Sequence, residues 1–321
     1  MRTIRWGMIG CGDVAEVKSG PGLQKAEGSA LVAVMRRDRA KVEDFARRHG
    51  VPRVYTDAAE LIADPEVDVV YIATPPSTHC ELSLMVAAAG KPCLVEKPMA
   101  IDHGECLRMI EAFANAGQSL WVAYYRRALP RFVKVRELLN DGVIGVVTSV
   151  HVEQRDRLTT GDRVEAWRFD PAVAGGGLFV DMGSHCLDLL DFFLGPVAAV
   201  HGFAGNTGHA YSAEDVTVAA FQFPNSVLGT GVWNFNASDT SDKMVFTGTD
   251  GELTTPIFTD GDVIMVRGEM RTAFPIRNPP HVHQPLIQTI VDEMLGRGCC
   301  ESTGESGART AWVTERCLVK G

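Results

Sequence analysis

Two side chains in this sequence are placed to move a proton. Lys97 stands in Val95-Glu96-Lys97-Pro98, directly after a short apolar run. Partial desolvation at such a strand end makes an ammonium a readier proton donor, able to polarise or protonate a substrate oxygen. His185 is the second. Asp181, His185 and Asp188 fall at i, i+4 and i+7, so a helix carries them on one stripe, with Leu187, Leu190 and Leu194 marking its buried side. An imidazole beside a carboxylate is oriented for exchange with a hydroxyl, which suits His185 as acid/base with Asp181 beside it. Asp188 reads as a structural partner of His185. Gly175-Gly176-Gly177, just ahead, allows a close turn near a ligand. A metal on these three residues would lack further ligands at metal spacing, so no metal is expected.

A second group of residues points to a dinucleotide. Gly10-Cys11-Gly12-Asp13-Val14-Ala15 follows the first apolar run and should open the first helix. Gly10 and Gly12 supply the tight turn and close backbone approach, and Asp13 and Val14 begin the helix N-terminus that faces a pyrophosphate. The next apolar run ends Val34-Met35-Arg36-Arg37-Asp38. An NAD-selective edge would place a carboxylate there for the ribose hydroxyls; Arg36 and Arg37 instead suit a 2′-phosphate, so NADP is expected, with NAD the alternative. Thr74, Pro75 and His79 in Ala73-Thr74-Pro75-Pro76-Ser77-Thr78-His79, and Glu96 with Lys97, fall at carboxyl ends of strands, where doubly wound sheets bind ligands.

The elements that must position these residues divide the chain at residue 123. In 1–123, the runs Ile4–Ile9, Ala30–Met35, Val67–Ala73, Pro92–Val95 and Ser119–Ala123 read as buried parallel strands. Arg39–His49, Thr56–Ala63 and Thr78–Ala89 carry helical spacing between them, with Asp57 and Thr78 as candidate caps. In 124–321, a helix at Pro130–Leu139 precedes alternating segments: Val146–Gln154, Val197–Ala204, Asp215–Phe223, Val227–Asn236, Lys243–Gly248 and Val263–Arg267. One helix, Gly183–Leu194, interrupts them, and Leu286–Leu295 and Ala308–Val319 read as tail helices. The expected class is α/β plus α+β: a Rossmann doubly wound parallel sheet, then a large, mostly antiparallel open sheet with helices on one face. One face of that second sheet exceeds what a single domain can bury. Val216/Val218/Ala220 or Thr217/Ala219/Phe221 is therefore expected to pair in a homodimer or homotetramer.

Composition removes other classes. A formal net charge of -9 without any basic stripe argues against a nucleic-acid partner. No apolar run approaches the roughly 20 residues of a membrane span, and no secretory signal is evident. Eight scattered cysteines without a C-x-x-C pair suit reduced thiols, and a cytoplasmic setting is expected. Other histidines, His49 and His151 among them, read as surface residues.

Taken together and in order, these pieces resemble the glucose-fructose oxidoreductase / inositol dehydrogenase / rhizopine-catabolism (Gfo/Idh/MocA) family over nearly the whole chain. The matching segments are Gly10–Ala15, Ala73–His79, Glu96-Lys97-Pro98, Tyr124-Tyr125-Arg126-Arg127, Trp167-Arg168 and Gly175–Gly177 with Asp181 to Asp188. His283-Gln284-Pro285 and Ser302–Ser306 continue the similarity into the tail. The resemblance implies a cis peptide before Pro98, Lys97 and His185 as acid/base, and Asp181 in the substrate site. It also implies Arg126, Trp167 and Arg168 at the cofactor, Tyr125 beside the nicotinamide and substrate, and a sugar, cyclitol or related polyol as substrate. Tyr125 departs from the amide or thioether side chain of the family pattern. Two other functions fit the same fold: a glycosidase that retains NAD, and a non-catalytic dinucleotide-binding regulator.

Overall fold

The computed structural model describes residues 2–12, 15–157 and 166–318. The chain forms two compact units, Met1–Ala128 with Pro279–Ala308, and Leu129–Asn278 with Arg309–Gly321.

The first unit runs β1 (Ile4–Ile9), α1 (Gly20–Lys25), β2 (Ser29–Met35), α2 (Arg39–His49), β3 (Arg53–Tyr55), α3 (Ala58–Ala63), β4 (Val69–Ile72), α4 (His79–Ala88), β5 (Cys93–Val95), α5 (His103–Ala116) and β6 (Leu120–Val122). All six strands are parallel, in the order β3-β2-β1-β4-β5-β6. The strand order reverses between β1 and β4, which makes the carboxyl ends of those strands the ligand-binding crevice of a Rossmann sheet. Val69, Val70, Tyr71 and Ile72 are all buried, as a strand covered on both faces requires. The helices stop and start where local chemistry says they should. Asp38 accepts from the Lys41 N–H at the start of α2, and Gly50, at φ 67°, ends it. Asp57 caps α3 through the Ala59 and Glu60 N–H groups. Thr78 does not cap α4; its hydroxyl is spent on Thr74 Oγ1 and the Pro75 carbonyl.

The second unit contains α6 (Pro130–Asn140), β7 (Val147–Arg157), α7 (Pro171–Ala174), α8 (Ser184–Leu194), β8 (Ala199–Gly205), β9 (Val216–Gln222), β10 (Leu228–Asn234), β11 (Asn236–Gly248), β12 (Glu252–Thr255), β13 (Val263–Arg267) and β14 (Met270–Phe274). Its eight strands are ordered β14-β13-β12-β11-β7-β10-β9-β8. Every pairing is antiparallel except β7 with β10. Alternation in β9 is strict: Thr217, Ala219 and Phe221 are buried, while Val218 and Ala220 are exposed. α8 covers the inner face, with Phe193 edge-on to Phe246 at 5.4 Å between centroids. The leucine stripe understates this helix, because every residue from Ser184 to Phe193 is buried.

Two tail helices follow, α9 (Gln284–Met294) and α10 (Gly304–Cys317). The division at residue 123 assigned the whole tail to the second domain, whereas Pro279–Ala308 groups with the first. Specific bonds account for this. Gln288 exchanges hydrogen bonds with the Glu27 backbone, at 2.7 and 3.2 Å. Ser302 both donates to and accepts from the Val122 backbone at the edge strand β6. Among the described residues no helix is long and apolar enough to cross a membrane.

Candidate active site

The glycine turn is built for close approach. Gly10 has φ 93°, and a Cβ there would stand 2.8 Å from the carbonyl carbon and oxygen of Ala73, so only glycine fits between β1 and β4. Among the described residues, a Cβ on Gly12 would meet nothing within 4 Å. Asp13 and Val14 lie outside the described residues. Ala15–Ser19 form a π-helical turn that runs into α1 at Gly20, and the Glu16 N–H bonds back to the Gly12 carbonyl at 3.1 Å. Such wide turns are rare and recur at functional sites. Arg36, expected at a 2′-phosphate, folds back from the end of β2 and donates to the Cys11 carbonyl at 3.1 Å, so its guanidinium also braces the glycine turn. Arg37 is exposed beside it. The carboxylate nearest this edge, Asp38, is engaged as the cap of α2.

Lys97 follows β5 at the same carboxyl edge of the sheet, half-buried, and the Lys97–Pro98 peptide is cis. Glu96 is buried beneath it. Its Oε1 accepts from the Tyr71 hydroxyl at 2.5 Å and its Oε2 from the Lys97 N–H at 3.1 Å. Burial pushes the Glu96 carboxyl up, against the pull of the Tyr71 hydrogen bond and of Lys97. Burial and the Glu96 charge keep the Tyr71 phenol protonated, so it is the donor of that pair. His79 was expected to touch the cofactor. It is instead fully buried, with Nδ1 3.0 Å from the Pro98 carbonyl and Nε2 2.8 Å from the Thr74 carbonyl. It acts as a staple from behind the loops rather than as a ligand-facing group. Thr74 and Pro75, which it ties, remain half-exposed at the edge.

His283 was not given a role by the sequence, although its His-Gln-Pro setting matched the family. It is buried against this group, with its ring stacked on Tyr125 at 4.4 Å and its Nδ1 3.8 Å from Glu96 Oε1. That spacing would be an ion pair only for a charged imidazole. Burial, with Lys18, Lys97 and Arg126 adding to it, lowers the His283 pKa to about 3, so the ring is neutral. Tyr125 in turn accepts a hydrogen bond from Arg126 Nη1 at 2.9 Å, with the guanidinium over its ring. His283 makes stability depend on pH in a definite direction. The unfolded chain takes up this proton near its usual value of about 6.5, the folded chain only near 3. Between those values the unfolded state binds more protons, so acidification should cost up to about 1.4 kcal/mol per pH unit from this residue. Denaturant unfolding at pH 7, 6 and 5 should show a shallower loss in His283→Gln than in wild type; parallel losses would contradict the assignment.

In the second unit, Trp167 and Arg168 lie in a 3-10 turn, Ala166–Phe169, with the guanidinium 4.6 Å from the indole centroid. Arg168 Nη1 also reaches Asp181 Oδ2 at 3.0 Å, a partner thirteen residues away that spacing rules do not flag. Asp181 itself sits in a second π-helical turn, Phe179–Gly183, and α8 begins only at Ser184. The α-helical stripe therefore holds from His185 onward, while Asp181 is aimed by the wider turn. Glu214 Oε1 accepts from the Gly177 N–H at 2.7 Å and fixes the glycine turn that leads in. Phe179 packs edge-on to Trp233 of β10 at 4.8 Å, seating the π turn on the sheet. His185 is buried, with Phe258 edge-on at 6.1 Å; Asp188 is buried one turn on. Three backbone N–H groups, at Ile257, Phe258 and Thr259, bond to Asp242 and hold the loop bearing Phe258. Elsewhere, His49 is not a lone surface residue: its ring packs at a tilt against Phe45 and bonds to Glu16. His151 pairs with Thr230.

A six-stranded parallel sheet with a glycine turn at its reversal point, joined in one chain to an open antiparallel sheet, defines an oxidoreductase with an NAD(P)-binding Rossmann fold. The family description "Oxidoreductase family, NAD-binding Rossmann fold" matches residues 4–124, and the GFO/IDH/MocA C-terminal domain matches residues 132–254. The chain belongs to the Gfo/Idh/MocA family. It is 37% identical to oxidoreductase P35 of Formosa agariphila over 315 residues, 97% of each chain. It is 29% identical to the trans-1,2-dihydrobenzene-1,2-diol dehydrogenase of Bos taurus over 280 residues, 86% of this chain and 81% of that one. The crystal structure of an aldose-aldose oxidoreductase from Caulobacter crescentus, complexed with glycerol, shares its fold with a TM-score of 0.88. That match has 24% identity and covers 98% of this chain and 96% of the other.

Proposed function

We propose that this protein is an NADP(H)-dependent dehydrogenase or reductase acting on a secondary alcohol, or its ketone, in a sugar, cyclitol or related polyol. The observation that carries the reading is the carboxyl edge of the parallel sheet, where Lys97, the turn at Gly10 and Gly12, and Arg36 stand on one rigid element. The residues present fit a dinucleotide: Gly10 cannot carry a side chain, a Cβ on Gly12 would meet nothing among the described residues, and Arg36 and Arg37 offer guanidinium groups to a 2′-phosphate. Thr74, Pro75, Arg126, Trp167 and Arg168 are the further residues we assign to its binding. When bound, the nicotinamide supplies the hydride acceptor or donor.

Lys97 and His185 are the acid/base pair: one polarises the substrate oxygen while the other takes or returns its proton. Asp181, paired with Arg168, presents a carboxylate to a substrate hydroxyl. Tyr125 borders the substrate. The polyol class rests on the family and on relatives named for a cyclic vicinal diol and for aldoses. A panel of sugars, cyclitols and dicarbonyls with NADP(H) and NAD(H), followed at the nicotinamide absorbance, tests the reading. Net oxidation or reduction of NADP(H) supports it. Tightly retained NAD with glycoside cleavage and no net redox change would replace it with the glycosidase, and dinucleotide binding without turnover with the regulator.

We assign the chain to the cytoplasm, where its eight free thiols, all but Cys299 buried, would stay reduced. It pairs with itself through the outer face of the eight-stranded sheet. Phe203, Val218 and Val232 lie in register across β8, β9 and β10, and Phe203 and Leu228 are 68% and 59% exposed. Apolar side chains aligned in this way suit an isologous contact. Light scattering at micromolar concentration should give a homodimer or homotetramer, and Phe203→Asp with Val218→Asp should lower the mass; a wild-type monomer would refute the pairing.

A further inference from the structure

We propose that Glu96 is a positioning residue for Lys97, and that Tyr71, His79 and His283 complete a buried frame that fixes the lysine backbone to β4. The inference rests on the role proposed above for Lys97. The two Glu96 oxygens have separate tasks: Oε1 is anchored by Tyr71, a fully buried residue of β4, and Oε2 holds the Lys97 N–H. One residue further on, the buried neutral ring of His79 lies between the Pro98 carbonyl, 3.0 Å from Nδ1, and the Thr74 carbonyl just beyond β4, 2.8 Å from Nε2, and its one N–H is donated to one of the two. The Lys97–Pro98 segment is therefore held by Glu96 at one end and packed against His79 at the other. His283, from the tail, brings Nδ1 to 3.8 Å from Glu96 Oε1 and stacks on Tyr125.

Stability alone gives little reason for this arrangement. A buried carboxylate carries a desolvation cost, and well-packed apolar residues of similar volume commonly serve a core as well or better. What the polar frame adds is a single geometry for the peptide that carries the ammonium. A proton donor displaced by about 1 Å can lose about 10²-fold in rate, so a backbone held in this way has a direct catalytic consequence.

The test uses Tyr71→Phe, Glu96→Ala and Glu96→Gln in the full chain, with NADP⁺ as the binding probe. Tyr71→Phe and Glu96→Ala are expected to lower kcat about 10- to 100-fold, with KM and the NADP⁺ Kd changed by no more than about threefold. Glu96→Gln keeps an oxygen acceptor for the Lys97 N–H and should recover to within about fivefold of wild type. Hydrogen exchange at the Lys97 amide should accelerate in Tyr71→Phe and Glu96→Ala, and not in Glu96→Gln. Unchanged kcat despite faster exchange would overturn the proposal, as would a Glu96→Gln enzyme no better than Glu96→Ala. If Glu96→Ala does not fold, Tyr71→Phe, which loses one hydroxyl, decides alone. Should the wild-type chain turn over no polyol, the proposed function falls, while amide exchange still decides whether Glu96 holds the lysine backbone.

Discussion

Lys97→Ala and His185→Ala are each expected to lower kcat by about 10²–10⁴-fold while folding and dinucleotide binding are preserved. Both side chains have surroundings that survive truncation. The Lys97 backbone is held by Glu96, whose Oε2 accepts from its N–H. His185 lies on α8, a helix buried from Ser184 to Phe193 and seated on the sheet by Phe193, so removal of one ring leaves the scaffold in place. The double variant should lose less than the product of the single losses, because groups acting on one proton are not additive. Asp181→Asn keeps the shape and removes the charge. It should also release Arg168 from its 3.0 Å pair, so its effect should spread to dinucleotide affinity in a way the Lys97 variant does not. Steady-state kinetics with a confirmed substrate, alongside an NADP⁺ titration, check each point.

Removing both Arg36 and Arg37 should reverse cofactor preference. Each charge-assisted contact to a 2′-phosphate contributes at most about 1.5–3 kcal/mol, roughly tenfold or more in affinity per residue. The two arginines are not equivalent. Arg36 also donates to the Cys11 carbonyl, so Arg36→Ala loosens the glycine turn and should weaken NAD(H) as well as NADP(H). Arg37 is exposed, and Arg37→Ala should weaken NADP(H) alone. Isothermal titration with both dinucleotides separates the effects; equal NADP(H) affinity in wild type and double variant would remove the phosphate assignment.

Much of this fold is legible in the sequence wherever local chemistry and burial agree. The helix at Arg39–His49 and the strand at Val263–Arg267 stand where periodicity places them, because Asp38 and Gly50 punctuate the first and alternation defines the second. The short strands β3, β12 and β14 were not read. Three to five residues with mixed exposure give too little alternation to stand out. The two π-helical turns carry no periodic signature in the sequence. Contacts distant in sequence were the least visible. Nothing in the spacing of Tyr71, Glu96 and His283 indicates that they meet, and nothing in the tail's helical pattern indicates that Ser302 would zip onto β6. His79 shows the converse: a residue in a ligand-binding segment whose side chain turns inward to hold that segment.

The most direct measurement is a single turnover. Enzyme mixed with one equivalent of NADPH and a keto-sugar should lose the reduced-nicotinamide absorbance in one exponential phase. In Lys97→Ala the same amplitude should develop about 10²–10⁴-fold more slowly. Equal rates in the two proteins would contradict the assignment of Lys97 to proton transfer and leave the family membership speaking only for fold and cofactor.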